Sequence, residues 1–353
     1  MTPSRRIIIT VILLAFTAAP CAFFMLQGAN YAIPMVEKEA FLMGTIVQIK
    51  VPASERKRSG EIVGAIDKAF NEIARIESLL SVYKEDSEVS KINRLKKDEV
   101  LKISDETFGL IKKSIDYSFR TDGAFDITVK PLVDIWAKAK TLGALPGEED
   151  IKNAVERVGS KYVVLDSLRK TISFKKEAMA IDLGGVAKGY AADRAAKVLI
   201  ANGIHNAIVN PGGNMYCLGA PSAKKLWNVG IQHPRERGRI FLKLKVRNKA
   251  VITSGDYERF FMLGGRRYSH IIDPRNGYPM GDGNISSTVI ADDASAADIL
   301  ATALCILGDK GLKLLDIGHG EDALIISQVK DKFVVKTTED FMDRYGAKEA
   351  GKL

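Results

Sequence analysis

Two hydrophobic rhythms divide the chain. Residues 41–51 (FLMGTIVQIKV) alternate with a period of two, as a strand with one buried face does. Ile62, Ile66, Phe70, Ile73, Ile76 and Leu80 then share one stripe of a 3.6-residue helix. A polar segment follows at 81–93, and Asp105 is placed to cap a second helix with Phe108, Ile111 and Ile115 inward. Residues 121–126 form a loop, and 140–149 (KTLGALPGEE) have the composition of an insertion or linker. A hairpin at 162–165 and 171–174 feeds a short strand at 178–183, which runs into a helix over 186–201. Short strands dominate after that, at 206–209, 215–218, 227–232, 240–246, 259–263, 268–272 and 285–291. A helix over 294–307 and a last hairpin, 323–329 with 333–337, complete the pattern. Blocks of strands separated by long helices predict an α+β fold with mainly antiparallel sheets packed against helices.

The N-terminus follows a different logic. Arg5 and Arg6 precede an apolar run over 7–26, the pattern of an export signal and not of a folded element. The run is also long enough to cross a bilayer as an uncleaved anchor. Ala18-Ala19-Pro20-Cys21 resembles a lipoprotein cleavage site, except that Pro20 stands where a small residue is expected, and Ser4 to Ile9 has some twin-arginine character. A buried N-terminal helix is the plainer alternative. Positive-inside logic places everything beyond residue 30 outside the cytoplasm. The expected organisation is a signal or anchor at 1–30, one domain at 31–345 with any internal subdivision near 140–150, and a polar tail at 346–353.

Composition narrows the function classes. In 353 residues, 46% hydrophobic and 27% charged positions describe a globular protein. Three cysteines, Cys21, Cys217 and Cys305, make no disulfide framework and no C-x-x-C site. The net charge of +9 is spread along the chain without a basic stripe interleaved with aromatics, so no nucleic-acid partner is expected.

Three segments could carry chemistry. In Ile181-Asp182-Leu183-Gly184-Gly185-Val186-Ala187-Lys188-Gly189-Tyr190, a strand meets two glycines and a helix with Lys188 in its first turn. Glycines admit a close ligand, and helix N-termini attract phosphate. The spacing is neither a Walker A nor a Rossmann fingerprint, and glycines that merely pack a strand–helix turn read equally well. In the second segment, Asp292 or Asp293 caps a helix, while Asp298 and Thr302 stand four apart on a face otherwise made of Ala, Leu and Ile. A buried carboxylate with a hydroxyl suits a hard cation such as Mg²⁺. The competing reading is a Thr302 hydroxyl bonded back to the Asp298 carbonyl. In the third, His270 ends a strand before the rigid turn Asp273-Pro274-Arg275-Asn276-Gly277, where a histidine can act as base, ligand or structural side chain. The polar loops 210–214, 253–256 and 123–126 could build the rest of a pocket.

With these residues in place the chain resembles the ApbE family of FAD:protein FMN transferases. The resemblance runs through Met43-Gly44-Thr45, Ser81-Val82-Tyr83, Ser90-x-x-Asn93, Gly123-Ala124-Phe125-Asp126, 182–190, Asn210-Pro211-Gly212-Gly213-Asn214, Thr253-Ser254-Gly255-Asp256-Tyr257, His270-Ile271-Ile272-Asp273-Pro274 and Asp298-x-x-x-Thr302. It implies an ApbE/T-fold-like architecture and an exported enzyme at the periplasmic face of the inner membrane, anchored or lipid-modified, as family members are in many Gram-negative bacteria. With FAD as substrate and Mg²⁺, such an enzyme moves FMN onto a Ser or Thr hydroxyl of an exported redox protein through a phosphoester, releasing AMP. Carried over by position, Asp298, Thr302 and the Gly185 carbonyl would hold the metal. Met43, Tyr83, Ala124, Phe125, Asp126, Asp182, Lys188 and Ile272 would line the flavin or adenosine pocket. His270 is the implied base, with a nearby Asp as second choice, and Lys188 would support the leaving group. The implied acceptor carries a D-x-x-[ST]-[SG]-A-T-like motif, which this chain itself lacks. Two alternatives stay open at this level. One is an FAD pyrophosphatase in which water replaces the acceptor hydroxyl, and the other is a flavin-binding protein without catalysis.

Overall fold

The computed structural model describes residues 33–55, 57–281, 283–315, 320–330 and 332–349. The export segment read at 1–30 and the end of the polar tail lie outside them. The first alternating run proves to be two strands, β1 (Met35–Leu42) and β2 (Thr45–Pro52), paired antiparallel so that Leu42 faces Thr45. Between them Met43 and Gly44 take φ of 53° and 69°, the left-handed pair that a two-residue hairpin turn requires. The apolar Met43 keeps the alternation going and hides that turn.

Helix α1 (Ser59–Leu80) buries the stripe expected of it, with Ala65 and Ala69 added. Next come α2 (Glu88–Ile92), β3 (Leu101–Lys102) and α3 (Asp105–Arg120). Ser104, not Asp105, caps α3, its hydroxyl accepting from the Thr107 N–H. Helices α4 (Lys130–Leu142) and α5 (Glu148–Val155) occupy a stretch where the sequence suggested only a loop or linker. Pro131 stands in the first turn of α4, where a missing N–H costs nothing, and Gly143 closes the helix at φ 66°. The pair packs Leu132, Trp136, Ile151 and Ala154 into a satellite core.

β4 (Val163–Asp166) and β5 (Thr171–Phe174) form the expected hairpin, with β3 on the other edge of β5. Residues 178–183 are not a strand; their backbone bonds to Asn93 and Ile127, with no ladder partner. Helix α6 (Gly184–Ala201) begins at the first glycine, earlier than the sequence suggested. The rest of the chain supplies β6 (Ala207–Pro211), β7 (Met215–Leu218), β8 (Trp227–Gln232), β9 (Ile240–Val246), β10 (Lys249–Gly255), β11 (Phe260–Leu263), β12 (Arg266–Ser269) and β13 (Asn284–Ala291). Then come α7 (Ala294–Leu307), β14 (Asp322–Val329), β15 (Lys332–Thr337), α8 (Phe341–Arg344) and β16 (Lys348–Glu349). β10 carries the segment 253–255 that looked like a polar loop. Its Thr253 hydroxyl pairs with that of Thr288 on β13 at 2.8 Å.

Eight strands form one sheet in the order β1-β2-β6-β7-β10-β13-β14-β15, every neighbouring pair antiparallel. Its two faces serve different cores. Ile49, Val209, Ile252, Val289 and Ile325 point to the main core with α1, α3, α6 and α7. Val251, Ile290, Leu324 and Ile326 point the other way, against β8, β9, Phe341 and Tyr345. Lying between two cores, β13 is buried from Ile285 to Ala291 and β14 from Asp322 to Ile326, with no alternation of exposed residues. The expected α+β, mainly antiparallel architecture is thus present. Among the described residues no helix is long and apolar enough to cross a membrane.

Candidate functional site

The site forms where α6 and α7 cross most closely. A Cβ on Gly189 would lie 2.2 Å from the Ala294 carbonyl oxygen and 2.9 Å from Asp298 Cβ, so only glycine permits this approach. The closeness lets the Gly189 N–H donate to Asp298 Oδ2 at 2.9 Å. Inside a helix that N–H ordinarily serves the carbonyl four residues back, here Gly185. The Gly185 carbonyl therefore has a competitor for its donor. From β7's entry loop, Asn214 Nδ2 donates to the other carboxylate oxygen, Oδ1, also at 2.9 Å.

Asp298 is 2% exposed, and among the described residues no cation pairs with it. Two neutral donors hold a buried carboxylate whose charge nothing balances, an arrangement that favours a bound cation. Thr302 stands one turn on. Its hydroxyl donates back to the Asp298 carbonyl at 3.1 Å, so the plainer sequence reading is present too, and its oxygen lies 3.5 Å from where a Gly185 Cβ would be. The Phe125 ring edge closes on the same point at 3.0 Å, so Gly185 is sealed between Phe125 and Thr302. Among the described residues no three His, Cys, Asp or Glu side chains form a metal cage. The donor set is one carboxylate, one hydroxyl and a backbone carbonyl, all hard oxygens, and it fits Mg²⁺ completed by substrate phosphate.

Around the start of α6 the first-turn donors are partly spent. Asp182 Oδ1 accepts from the Gly184 N–H at 2.7 Å, and the N–H groups of Val186 and Ala187 go to the Leu183 carbonyl. Because α6 starts at Gly184, Lys188 lies one turn inside it and not in its first turn. Helical side chains lean toward the N-terminus, and its ammonium indeed reaches back to the Gly184 carbonyl at 3.4 Å. Burial raises the Asp182 pKa. Asn93 fixes the approach to Asp182 by gripping both backbone groups of Ile181, its Nδ2 donating to the carbonyl at 2.9 Å and its Oδ1 accepting from the N–H at 2.7 Å.

His270 follows the last residue of β12. Its backbone N–H and Nδ1 both meet the Arg259 carbonyl, at 3.0 and 2.9 Å. A carbonyl only accepts, so this bond needs the proton on Nδ1 and leaves Nε2 with a free lone pair. His270 is an exposed residue, yet the protein atoms packed around its ring desolvate it and, with Lys188 and Arg259 adding positive charge, push its pKa down to about 4. The electrostatic link places His270 and Lys188 in one neighbourhood. Arg259 Nη2 also reaches the Gly44 carbonyl at 3.4 Å, which brings the Met43–Gly44 turn alongside.

Not every candidate faces this space. Asp126 is buried with both oxygens engaged: Oδ1 accepts from the Thr128 N–H and hydroxyl, Oδ2 from the Ser118 hydroxyl and the Ser160 N–H. That is a carboxylate tying its loop to α3 and to Ser160. Ala124 is buried in the main core, and Ile272 packs with Leu132 and Trp136 in the satellite core. Met43 is half-buried against the main core. Tyr83 is the opposite case, 88% exposed, on a loop tied to α2 by the Ser87 and Ser90 hydroxyls. Asn214, Asn93 and Arg259 were not singled out in the sequence. Asn214 and Asn93 stand in motifs noted there, but their partners lie 84 and 88 residues away.

Comparisons with known proteins bear on the family and the fold. The ApbE family model matches residues 43–325. An FAD:protein FMN transferase from Klebsiella pneumoniae is 31% identical over 294 residues, covering 83% of this chain and 89% of that protein. The ApbE protein from Thermotoga maritima superposes with a TM-score of 0.78 at 35% identity, over 87% of this chain and 98% of its own. The flavin transferase ApbE from Vibrio cholerae does so with 0.75 at 27%, over 88% and 100%. A match over most of the chain, on a fold that joins Gly185, Asp298 and Thr302, establishes that this chain belongs to the ApbE family.

Proposed function

We propose that the protein is an Mg²⁺-dependent FAD:protein FMN transferase that esterifies a Ser or Thr hydroxyl of an exported acceptor with FMN and releases AMP. The observation that carries this reading is Asp298: a buried carboxylate held by neutral donors, with no cation beside it among the described residues. Asp298, Thr302 and the Gly185 carbonyl would hold Mg²⁺, which when bound supplies a Lewis acid at the FAD pyrophosphate. The names of the relatives, FAD:protein FMN transferase and flavin transferase, support the substrate and reaction class.

The protein's own groups divide the remaining work. Lys188 presents its ammonium at the start of α6 and opposes the negative charge that grows on the departing AMP. Phe125 and the glycines wall the cradle and bring the backbone close to the phosphates. His270, neutral and with Nε2 unprotonated, takes the proton of the acceptor hydroxyl as its oxygen attacks the riboflavin-side phosphorus. The pyrophosphate bond breaks as the new phosphoester forms, so atoms and charge balance with AMP as leaving group. Exposed Tyr83 is available to cover a flavin or adenine ring. The export and anchoring of the chain belong to the same proposal and rest on Arg5, Arg6 and the apolar run after them.

The test mixes the full-length protein with FAD, Mg²⁺ and a protein bearing the D-x-x-[ST]-[SG]-A-T-like motif. Covalent flavin on the acceptor is read by in-gel fluorescence and AMP by chromatography, with and without chelator. Chelator-sensitive labelling with matching AMP is expected. AMP with free FMN and no labelled acceptor would replace the proposal by the pyrophosphatase, and FAD binding without AMP would leave only a carrier.

A further inference from the structure

A cavity of about 300 Å³ is lined in part by Arg267 and Ser269 of β12, next to His270, and shares no lining residue with the cradle formed by Phe125, Gly185, Lys188, Asp298 and Thr302. Its charge is lopsided. Arg235 makes a two-pronged bond to Asp256, at 2.7 and 2.9 Å, and Arg267 stands 3.6 Å from the same carboxylate. Lys330 adds a third cation that has no carboxylate partner among the described residues. Three positive charges therefore face one negative charge. Ser269, the residue before His270, forms part of the wall, and Gln328 supplies a neutral polar group. Directly across the hairpin from Ser269 is Phe260, 40% exposed, with the Arg267 guanidinium 4.4 Å over its ring. Met262 on the same hairpin is 55% exposed.

We propose that this cavity receives an acidic side chain of the acceptor polypeptide and so sets which hydroxyl reaches His270. The inference rests on the transferase reading and adds to it how the protein substrate is recognised. A volume this small lies at the lower end of the roughly 300–1,000 Å³ typical of small-molecule pockets, and it suits a side chain better than a dinucleotide. Exposed apolar surface beside excess positive charge favours a polypeptide over a free anion, because a chain brings a carboxylate together with aliphatic contacts. Ser269, the last residue of β12, lines the cavity and is followed directly by His270, so cavity and base stand one residue apart along the chain. One bound segment wrapping that strand could fill the cavity and present its hydroxyl to the base.

The test compares full-length wild type with Lys330→Gln and with Lys330→Gln/Arg267→Gln, using a purified acceptor protein across a range of NaCl concentrations. The single variant is included because Arg267 also packs on Phe260, whereas Lys330 makes no such contact. The KM for acceptor should rise about tenfold for each charge removed, with the KM for FAD and the saturated kcat retained. Added salt should raise the wild-type KM steeply and that of the double variant only weakly. Neutralising the acidic residues around the acceptor hydroxyl should reproduce the loss with wild type and add little with the double variant. An unchanged acceptor KM in both variants overturns the proposal, as does a rise confined to FAD, which would assign the cavity to the nucleotide. A wild type that labels no acceptor at any salt concentration refutes the transferase reading, and this inference with it.

Discussion

Replacing Gly189 by alanine tests the crossing on which the site depends. In an ordinary helix interior the change stabilises by about 0.5–1 kcal/mol, because glycine has more backbone freedom to lose. Here the new methyl would sit 2.2 Å from the Ala294 oxygen and 2.7 Å from its carbon, both backbone atoms, where ordinary contact begins at 3.4 Å. Helix α7 must then retreat by roughly 1 Å, and overpacking of this kind costs about 1–3 kcal/mol. The clash outweighs the propensity gain and leaves a net loss of about 1–2 kcal/mol, or a Tm lowered by about 2–6 °C. The retreat carries Asp298 and Thr302 away from Gly185, and a misplacement of about 1 Å can reduce turnover about a hundredfold. Gly64→Ala is the control: this helical glycine in α1 has nothing within 4 Å of its Cβ position, so it should gain about 0.5–1 kcal/mol and keep full activity. Thermal melts of both variants beside FMN-transfer rates decide the matter. A Gly189→Ala protein as stable and active as wild type would refute the packing argument.

Asp298→Asn removes the buried charge while keeping an acceptor for the Gly189 N–H. Turnover should fall at least a hundredfold and lose its Mg²⁺ dependence, yet the Tm in chelator should hold or rise, since an uncompensated buried anion is gone; a falling Tm with normal turnover contradicts the metal assignment. His270 must be neutral to act, and its pKa is depressed to about 4, so the rate of transfer should stay level down the acid side and drop only as pH falls through about 4. The same depression means that the unfolded ring binds a proton near its ordinary pKa while the folded ring does not. Stability therefore rises with pH across that window and is lost toward pH 4. A rate profile breaking near the ordinary histidine value of about 6.5 would show a different base or a different environment. Asn93→Ala leaves the N–H and carbonyl of fully buried Ile181 without partners, at about 1–3 kcal/mol each, and frees the segment before Asp182; chemical denaturation and the KM for FAD should both register it.

Local physics made much of this protein legible from its residues. The α1 stripe and the alternating strand β8 each bury one face by a period that the sequence carries itself, and α7, apolar along its length, is buried nearly all round. The spacing of Asp298 and Thr302 likewise put both on one helical face, where the structure has them. Legibility ended where apolar chemistry concealed a turn, as at Met43–Gly44, or where a helix opened with proline, as in α4. It ended also at residues 178–183, whose apolar run is buried by contact with Asn93 and Ile127 and not by a sheet neighbour.

Tertiary structure alone decided what the candidate groups do. Asp126 and Asp298 are both buried aspartates, but Asp126 has both oxygens taken by Ser118, Thr128 and Ser160, while Asp298 is held by Gly189 and Asn214 beside Thr302 and the start of α6. The tautomer of His270 is set by one carbonyl, at Arg259, eleven residues earlier on the facing side of a hairpin. Sequence fixes the period of each element, because neighbouring residues share a backbone and side-chain direction follows from it. It does not fix which elements meet: strand order and the closeness of α6 to α7 come from packing contacts summed over the whole core, and on those contacts the charge and availability of each side chain depend.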